Sequence, residues 1–381
     1  MAKTVTPESQ QELAEIIAAA TSPFSVQGLG TKPIGHGLDG DVLSLKNFSG
    51  IVVYEPEELI LEAKAATSLA ELEKLVGEKG QMLAFEPPDY SRLFGAKSSG
   101  TLGGAMACGL SGPRRLKAGA ARDHILGVSG ITGQGLAFKA GARVVKNVTG
   151  YDMPKLLCSS HGTLAVMTSI IVKVLPRPET EETLVFTGLG DHDAIALLAG
   201  ALQTSAEISS AAHVPGEGTY LRLEGIAPSV AYRRDRLLSH LKKDGNVLDD
   251  KQSRKLWKAL RDVEPFWSLR SHAIWRISTT PGIAADVMQK IAAQLTTRHY
   301  YDWAGGLIWL AVADAEDGGA GVIRAAIPSG HATLLKASEL VKAKVPVFQP
   351  QPPALAALTA RVKQAFDPRG ILNPGRMYKG I

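Results

Sequence analysis

Between Ser98 and Gly112 the chain reads SSGTLGGAMACGLSG, with five glycines, four hydroxyl residues and no charge in fifteen positions. Glycine lacks a Cβ and admits positive φ, so successive peptide N–H groups can converge on an anion or lie flat against a ring system. A cofactor held largely by backbone suits this composition; a close-packed glycine turn is the plainer alternative. An earlier stretch, Gly28-Leu29-Gly30-Thr31-Lys32, offers two glycines, a hydroxyl and an ammonium to a pyrophosphate. A third, Gly162-Thr163-Leu164-Ala165-Val166, is a small-residue turn opening a buried strand, where backbone groups meet a ligand's polar edge or simply turn the chain. Gly35, Gly37 and Gly40 satisfy G-x-G-x-x-G, yet Asp41 to Leu45 reads as a strand where that fingerprint needs a helix, so a Rossmann site is excluded.

These stretches need elements to hold them. Thr6 is expected to cap a first helix, with Pro7 in its first turn and Leu13, Ile16 and Ile17 on its buried face. Strands follow at Phe24 to Val26, Val42 to Leu45, Ile51 to Tyr54 and Ile60 to Ala65. Ser68-Leu69-Ala70-Glu71 reads as a capping box opening an amphipathic helix that Gly80 stops. Val128 to Thr132 and Leu136 to Ala140 flank a Gly-Gln-Gly turn as a hairpin, and Met167 to Leu175 is a β-branched strand. Lys146-Asn147-Val148-Thr149-Gly150-Tyr151-Asp152 precedes a short helical piece near Pro154. From about residue 184 the pattern becomes βαββαβ, and a second such run begins near Ala273, which together predict a duplicated, largely antiparallel sheet. A Pro-rich linker, Val345 to Pro353, leads to a last helix and the tail Phe366-Asp367-Pro368-Arg369-Gly370-Ile371-Leu372-Asn373-Pro374-Gly375-Arg376.

With 381 residues and apolar content of 45%, the chain is long enough for two folded domains. No apolar run approaches the ~20 residues that span a bilayer, and the first ten residues do not resemble a signal peptide. A cytoplasmic location is expected, with any contact with the inner membrane made peripherally through a complex. The net charge of +5 is spread out, which argues against nucleic acid. Cys108 and Cys158 are the only cysteines, too few for a self-contained iron–sulfur cluster. Electrons leaving this protein must pass to another.

Taken in order, GLGTK, SSGTLGGAMACGLSG, KNVTGYDMPKLL, GTLAV and FDPRGILNPGR resemble the FAD-binding superfamily of vanillyl-alcohol oxidase and p-cresol methylhydroxylase. Within it the chain is similar, over nearly its whole length, to the E-type family of bacterial glycolate oxidases, which assemble from D-, E- and F-type proteins. The resemblance implies an α+β chain: a PCMH-type FAD-binding domain of two α/β subdomains (1–178), a cap with a largely antiparallel, helix-covered, duplicated ferredoxin-like sheet (179–345), and a C-terminal segment returning to the FAD domain (346–381). It implies that Gly28, Gly30, Thr31 and Lys32 form the first pyrophosphate loop, and that Thr101, Gly103 and Gly104 form the second. Ala107, Ser111 and Gly112 would approach the flavin, Gly162, Thr163, Leu164, Ala165 and Val166 would meet it through backbone, and Asn373 and Arg376 would lie near the ring. Relatives with covalent flavin carry a histidine in the first loop; this loop ends in Thr31-Lys32, so noncovalent FAD is expected, with no metal. His124 and His161 lie beside cofactor motifs and can hydrogen-bond phosphate or main chain.

Oxidation of a 2-hydroxy acid by a flavin needs a cation for the carboxylate and a base for the hydroxyl proton. Arg276 and Arg376 suit the first role and His331 the second, although an arginine at a strand edge often serves an ion pair and a lone histidine often serves structure. The leading expectation is an FAD-binding subunit of a glycolate oxidase, with a D-type flavoprotein and an F-type iron–sulfur protein as partners. A self-sufficient dehydrogenase for D-lactate or another small 2-hydroxy acid is one alternative. A flavin-holding structural or electron-relay subunit is the other, and it is favoured by a departure: related 2-hydroxy-acid dehydrogenases carry a GDGN...H segment in the cap, and no GDGN occurs here.

Overall fold

The computed structural model describes residues 3–38, 40–143, 151–313 and 315–381. The motif residues Lys146 to Gly150 lie outside the described residues. The chain divides into two compact units, one comprising 1–111, 119–177 and 350–381, the other 112–118 and 178–349.

Among the described residues the first unit holds ten strands. β1 (Thr4–Val5), β2 (Phe24–Gln27) and β3 (Asp41–Ser44) make a small parallel sheet in the order β1-β3-β2. β4 (Ile51–Glu55), β5 (Ile60–Lys64), β6 (Gln81–Met82), β7 (Ile125–Thr132), β8 (Ala137–Gly141), β9 (Ala165–Lys173) and β10 (Leu175–Pro176) follow. Five of these form an antiparallel sheet, β4-β5-β9-β7-β8, and β6 pairs with β10. The strand β3 stands where the rejected dinucleotide fingerprint would have required a helix. Gly35 has another reason to be glycine: at φ 102° a Cβ would press on the carbonyl oxygen of Arg376 at 2.6 Å.

The first helix is Gln10–Ala19, and its cap is Ser9, not Thr6: the Ser9 hydroxyl accepts the Glu12 N–H at 3.1 Å. Thr6 lies too far upstream because Glu8 N–H is itself held by the Glu12 carboxylate. Leu13 and Ile17 point into a core shared with Phe24, Leu43, Ile131, Val166, Ile371 and Leu372. The tail therefore contributes to this core. It also extends the small sheet, since Phe24 N–H donates to Ile371 O at 2.8 Å and Asn373 N–H to Phe24 O at 3.0 Å. Arg369 donates to the carbonyls of Ile17, Ala18 and Ala20, covering the C-terminal end of the first helix.

The second unit carries β11 (Thr180–Phe186), β12 (Ser210–Val214), β13 (Gly218–Gly225), β14 (Asn246–Leu248), β15 (Ala273–Ser278), β16 (Thr297–Asp302), β17 (Leu307–Val312) and β18 (His331–Lys336). They form one antiparallel sheet, β14-β11-β13-β12-β16-β17-β15-β18. The order confirms the duplicated antiparallel reading: the first four strands come from one βαββαβ run and the last four from the other. The seam between the halves is thin, with the single registered pair His213↔Tyr301 joining β12 to β16.

A carboxylate reinforces that seam. Asp191, the first residue of helix Asp191–Leu202, accepts from the Tyr301 hydroxyl at 2.7 Å and from His299 Nε2 at 2.9 Å, with His213 Nε2 at 3.4 Å. Burial alone would raise its pKa. The nearby His213, with the hydrogen bonds from His299 and Tyr301, outweighs burial and holds the carboxyl well below the usual carboxylate range. Because the folded pKa lies below the unfolded value of ~3.9, this stabilisation is complete above that pH and is lost as pH falls towards the folded pKa. Asp191→Asn is expected to lower unfolding free energy by about 2 kcal/mol at pH 7. Urea titrations at stepped pH should show the difference from the parent shrinking below about pH 4.

Candidate functional site

Three chain segments converge in the first unit. Gly28 to Lys32 leaves β2 through a series of bends, and among the described residues none of its five backbone N–H groups has a protein acceptor. Helix Leu102–Ala107 begins at Thr101, whose side chain caps Gly104 N–H at 3.1 Å. The two loops touch: a Cβ on Gly28 would lie 2.9 Å from Thr101 Oγ1, and one on Gly100 would collide with Lys32 Nζ. The Lys32 ammonium thus rests over the bare backbone of Gly100, near Gly104. Burial lowers its pKa, partly offset by Cys108 and Asp89.

The glycines of the helix have different duties. Gly103 is needed for packing, since its Cβ would meet the carbonyl oxygen of Ala65 at 2.8 Å. The leading amides of the helix are already used: Leu102 N–H donates to Thr67 O, Gly103 N–H to Ala65 O and Gly104 N–H to Thr101 Oγ1. The free donors therefore lie on Gly28 to Lys32.

The other end of the helix meets the segment before β9. Ser159 N–H donates to Met106 O and His161 N–H to Ala107 O. Ser159, His161 and Gly162 all have positive φ, and a Cβ on Gly162 would lie 2.8 Å from Asn373 Nδ2. Asn373 connects the groups: its Oδ1 accepts Val26 N–H at 2.8 Å, and its Nδ2 donates to His161 O at 2.9 Å. Arg376 donates to Ile34 O and Ser25 Oγ, while its Nε is buried with no acceptor among the described residues. Ser160 Oγ is also buried, with no partner among the described residues. Burial, with the Arg376 charge, pushes the His161 pKa down to about 3, so its ring is neutral.

The remaining expected residues are placed more quietly. Thr163 Oγ1 donates to Ser160 O at 2.8 Å, and Leu164, Ala165 and Val166 are buried. Ala165 and Val166 pair with Thr132 and Ile131 of β7, so one edge of their backbone is already engaged. Ser111 Oγ accepts Ala121 N–H. Gly112 groups with the second unit, where its carbonyl accepts Trp303 Nε1–H at 3.0 Å.

Arg276 and His331 also belong to the second unit. In the β15–β18 ladder Arg276 faces Thr333 and Ser278 faces His331, so Arg276 and His331 share one face of the sheet. The Arg276 guanidinium lies 5.1 Å from the centre of the Trp303 ring, and that of Arg115 lies 4.6 Å from it. Burial, followed by the charges of Arg276 and Arg115, lowers the His331 pKa. Sequence reasoning overlooked Arg115, although it stands three residues beyond the glycine stretch. It also overlooked Trp303, which no motif marks.

In the first unit, unpaired amides, a buried ammonium, a glycine surface that a Cβ would fill and an orphaned guanidinium nitrogen together fit an anionic, planar cofactor such as FAD. The comparisons agree. Residues 1–141 match the family model described as FAD binding domain, and 348–377 match that of the FAD linked oxidases, C-terminal domain. The chain is 35% identical to "Glycolate oxidase subunit GlcE" of Escherichia coli over 97% of both chains. It is 30% identical to "Glycolate oxidase subunit GlcD" of Bacillus subtilis over 48% of this chain and 38% of that one. The solved structure of an alkyldihydroxyacetonephosphate synthase has the same fold, with a TM-score of 0.68 at 16% identity over 97% of this chain and 75% of that one. No helix among the described residues is long and apolar enough to cross a membrane. The chain belongs to the FAD-linked oxidases with a PCMH-type fold, in the family of the glycolate oxidase GlcE subunit, and FAD is its cofactor.

Proposed function

We propose that this protein is the FAD-carrying E-type subunit of an enzyme that oxidises glycolate to glyoxylate, working with a GlcD-like flavoprotein subunit and an iron–sulfur subunit. The similarity to GlcE along the full chain is the observation that carries this reading. With only Cys108 and Cys158 present, an iron–sulfur relay has to come from a partner.

FAD, when bound, supplies a two-electron acceptor for hydride. The chain's own residues have the remaining tasks. Gly28 to Lys32 offer N–H groups and an ammonium to the pyrophosphate, with Thr101 and Gly104 beside them. Asn373 holds the turn at Gly162, and Arg376 adds a buried positive charge. In the second unit Arg276 and Arg115 present guanidinium groups suited to a carboxylate. His331, with its lowered pKa, is neutral near pH 7 and able to take the hydroxyl proton on a ring nitrogen. An electron-relay or scaffold role is the second reading, and the missing GDGN segment favours it.

The chain purified alone should show an oxidised-flavin spectrum, with the flavin released by denaturation. Anaerobic glycolate should bleach it. A flavin that stays oxidised until a partner is added would transfer the reading to the relay, and bleaching by D-lactate alone would favour a standalone dehydrogenase. If glycolate reduces this flavin, Arg276→Met should raise the glycolate concentration needed for half-maximal reduction about tenfold to a hundredfold. Lys32→Met should raise the Kd for FAD by a similar factor, measured by fluorescence titration of the apoprotein.

A further inference from the structure

The helix Pro353–Phe366 is mostly exposed, and its one fully buried side chain is charged. Lys363 Nζ donates to Asp367 Oδ2 at 2.6 Å, to Thr163 O at 2.7 Å and to Leu372 O at 2.8 Å, using all three ammonium protons. Asp367 is equally engaged. Its Oδ1 accepts Ile371 N–H at 3.0 Å and its Oδ2 accepts Leu372 N–H at 2.7 Å. Gly133 lies directly against this carboxylate, leaving no room for a Cβ.

Two of the three acceptors are backbone carbonyls on segments far apart in sequence. Thr163 follows Gly162 in the turn before β9, and Leu372 precedes Asn373 in the tail. Those neighbours are the residues that touch, through Asn373 Nδ2 and the carbonyls of His161 and Gly162. Burial lowers the Lys363 pKa, and Asp367 offsets this. Removing the lysine alone would leave the buried Asp367 carboxylate and two carbonyls without their donor, so a stability cost accompanies any change here and affinity has to be read separately from it. The ammonium ties together the backbone of two segments whose side chains Val166, Ile371 and Leu372 share one core.

We infer that Lys363 is a positioning residue for FAD: by tying Thr163 to Leu372 it presets the Gly162 turn and the Asn373 side chain against the cofactor. Preorganisation of this kind appears in ligand affinity as well as in fold stability.

The test is Lys363→Met and Lys363→Arg in the full-length chain, with two readouts: the Kd for FAD by fluorescence titration of apoprotein, and the urea midpoint of that apoprotein. Lys363→Met should raise the Kd at least about tenfold and blur the fine structure of the bound flavin's visible spectrum, with Lys363→Arg recovering part of the affinity. A lowered urea midpoint with an unchanged Kd and spectrum would mean a purely structural role and overturn the inference. Should the variants fail to fold, hydrogen exchange of the unaltered protein decides. FAD should slow the amides of 160–166 and 367–376 together; equal exchange with and without FAD would overturn it.

Discussion

The return of the tail to β2 is the constraint on which the first unit depends. Joining Phe24 to Leu372 closes nearly the whole chain into a loop, at an entropic cost of roughly 5 kcal/mol on the simplest polymer estimate. Hydrogen bonds on both sides of Phe24, the burial of Ile371 and Leu372 beside Leu13 and Ile17, and Arg369 across the end of the first helix offset it. With that closure made, Asn373 reaches Val26 and His161, and Arg376 reaches Ile34 and Ser25. This part of the unit is thus assembled from residues near both ends of the chain.

The two glycine loops divide the labour unequally. In Leu102–Ala107 glycine serves close packing: Gly103 lets the helix approach Ala65, and the first amides are consumed by Thr67, Ala65 and Thr101. In Gly28 to Lys32 the amides are left open. The second loop therefore presents a surface without side chains, and the first presents open donors and the Lys32 cation. Both sequences are rich in glycine, and the hydrogen bonding separates a packed wall from an edge of open donors.

Much of this was legible in the sequence because the strongest signals are local. Alternation gave the strands, Gly and Pro marked their ends, and the doubled βαββαβ pattern led to the eight-stranded sheet. Ordered motifs led to the family and its cofactor. Ser9 displaced Thr6 as cap because two hydroxyl residues stand within one turn of each other, and it is Ser9 that reaches the Glu12 N–H. Helix Glu339–Lys344 escaped notice because its six residues are too short for periodicity to register. Lys363, Arg115 and Trp303 were hidden for another reason. Each acts through partners distant in sequence, and no local rule marks a lysine whose acceptors are the carbonyls of residues 163 and 372.

Trp303 shows how far such partners can bend local preference. Trp303 and Ala304 both have left-handed backbone, at φ 52° and 53°, and Gly305 follows at 96°. For residues bearing a Cβ each such conformation costs on the order of 1–3 kcal/mol. Asp302 compensates by accepting Trp303 N–H at 2.7 Å, and the indole N–H by donating to Gly112 O. A relaxed turn would keep neither bond and would swing the ring away from the guanidinium groups of Arg115 and Arg276. Cation–π contact of about 0.5–2 kcal/mol per pair then helps hold the ring in the strained geometry, while the ring fixes where those charges stand. Strain and charge placement are therefore one arrangement: the backbone tolerates the first because the second depends on it.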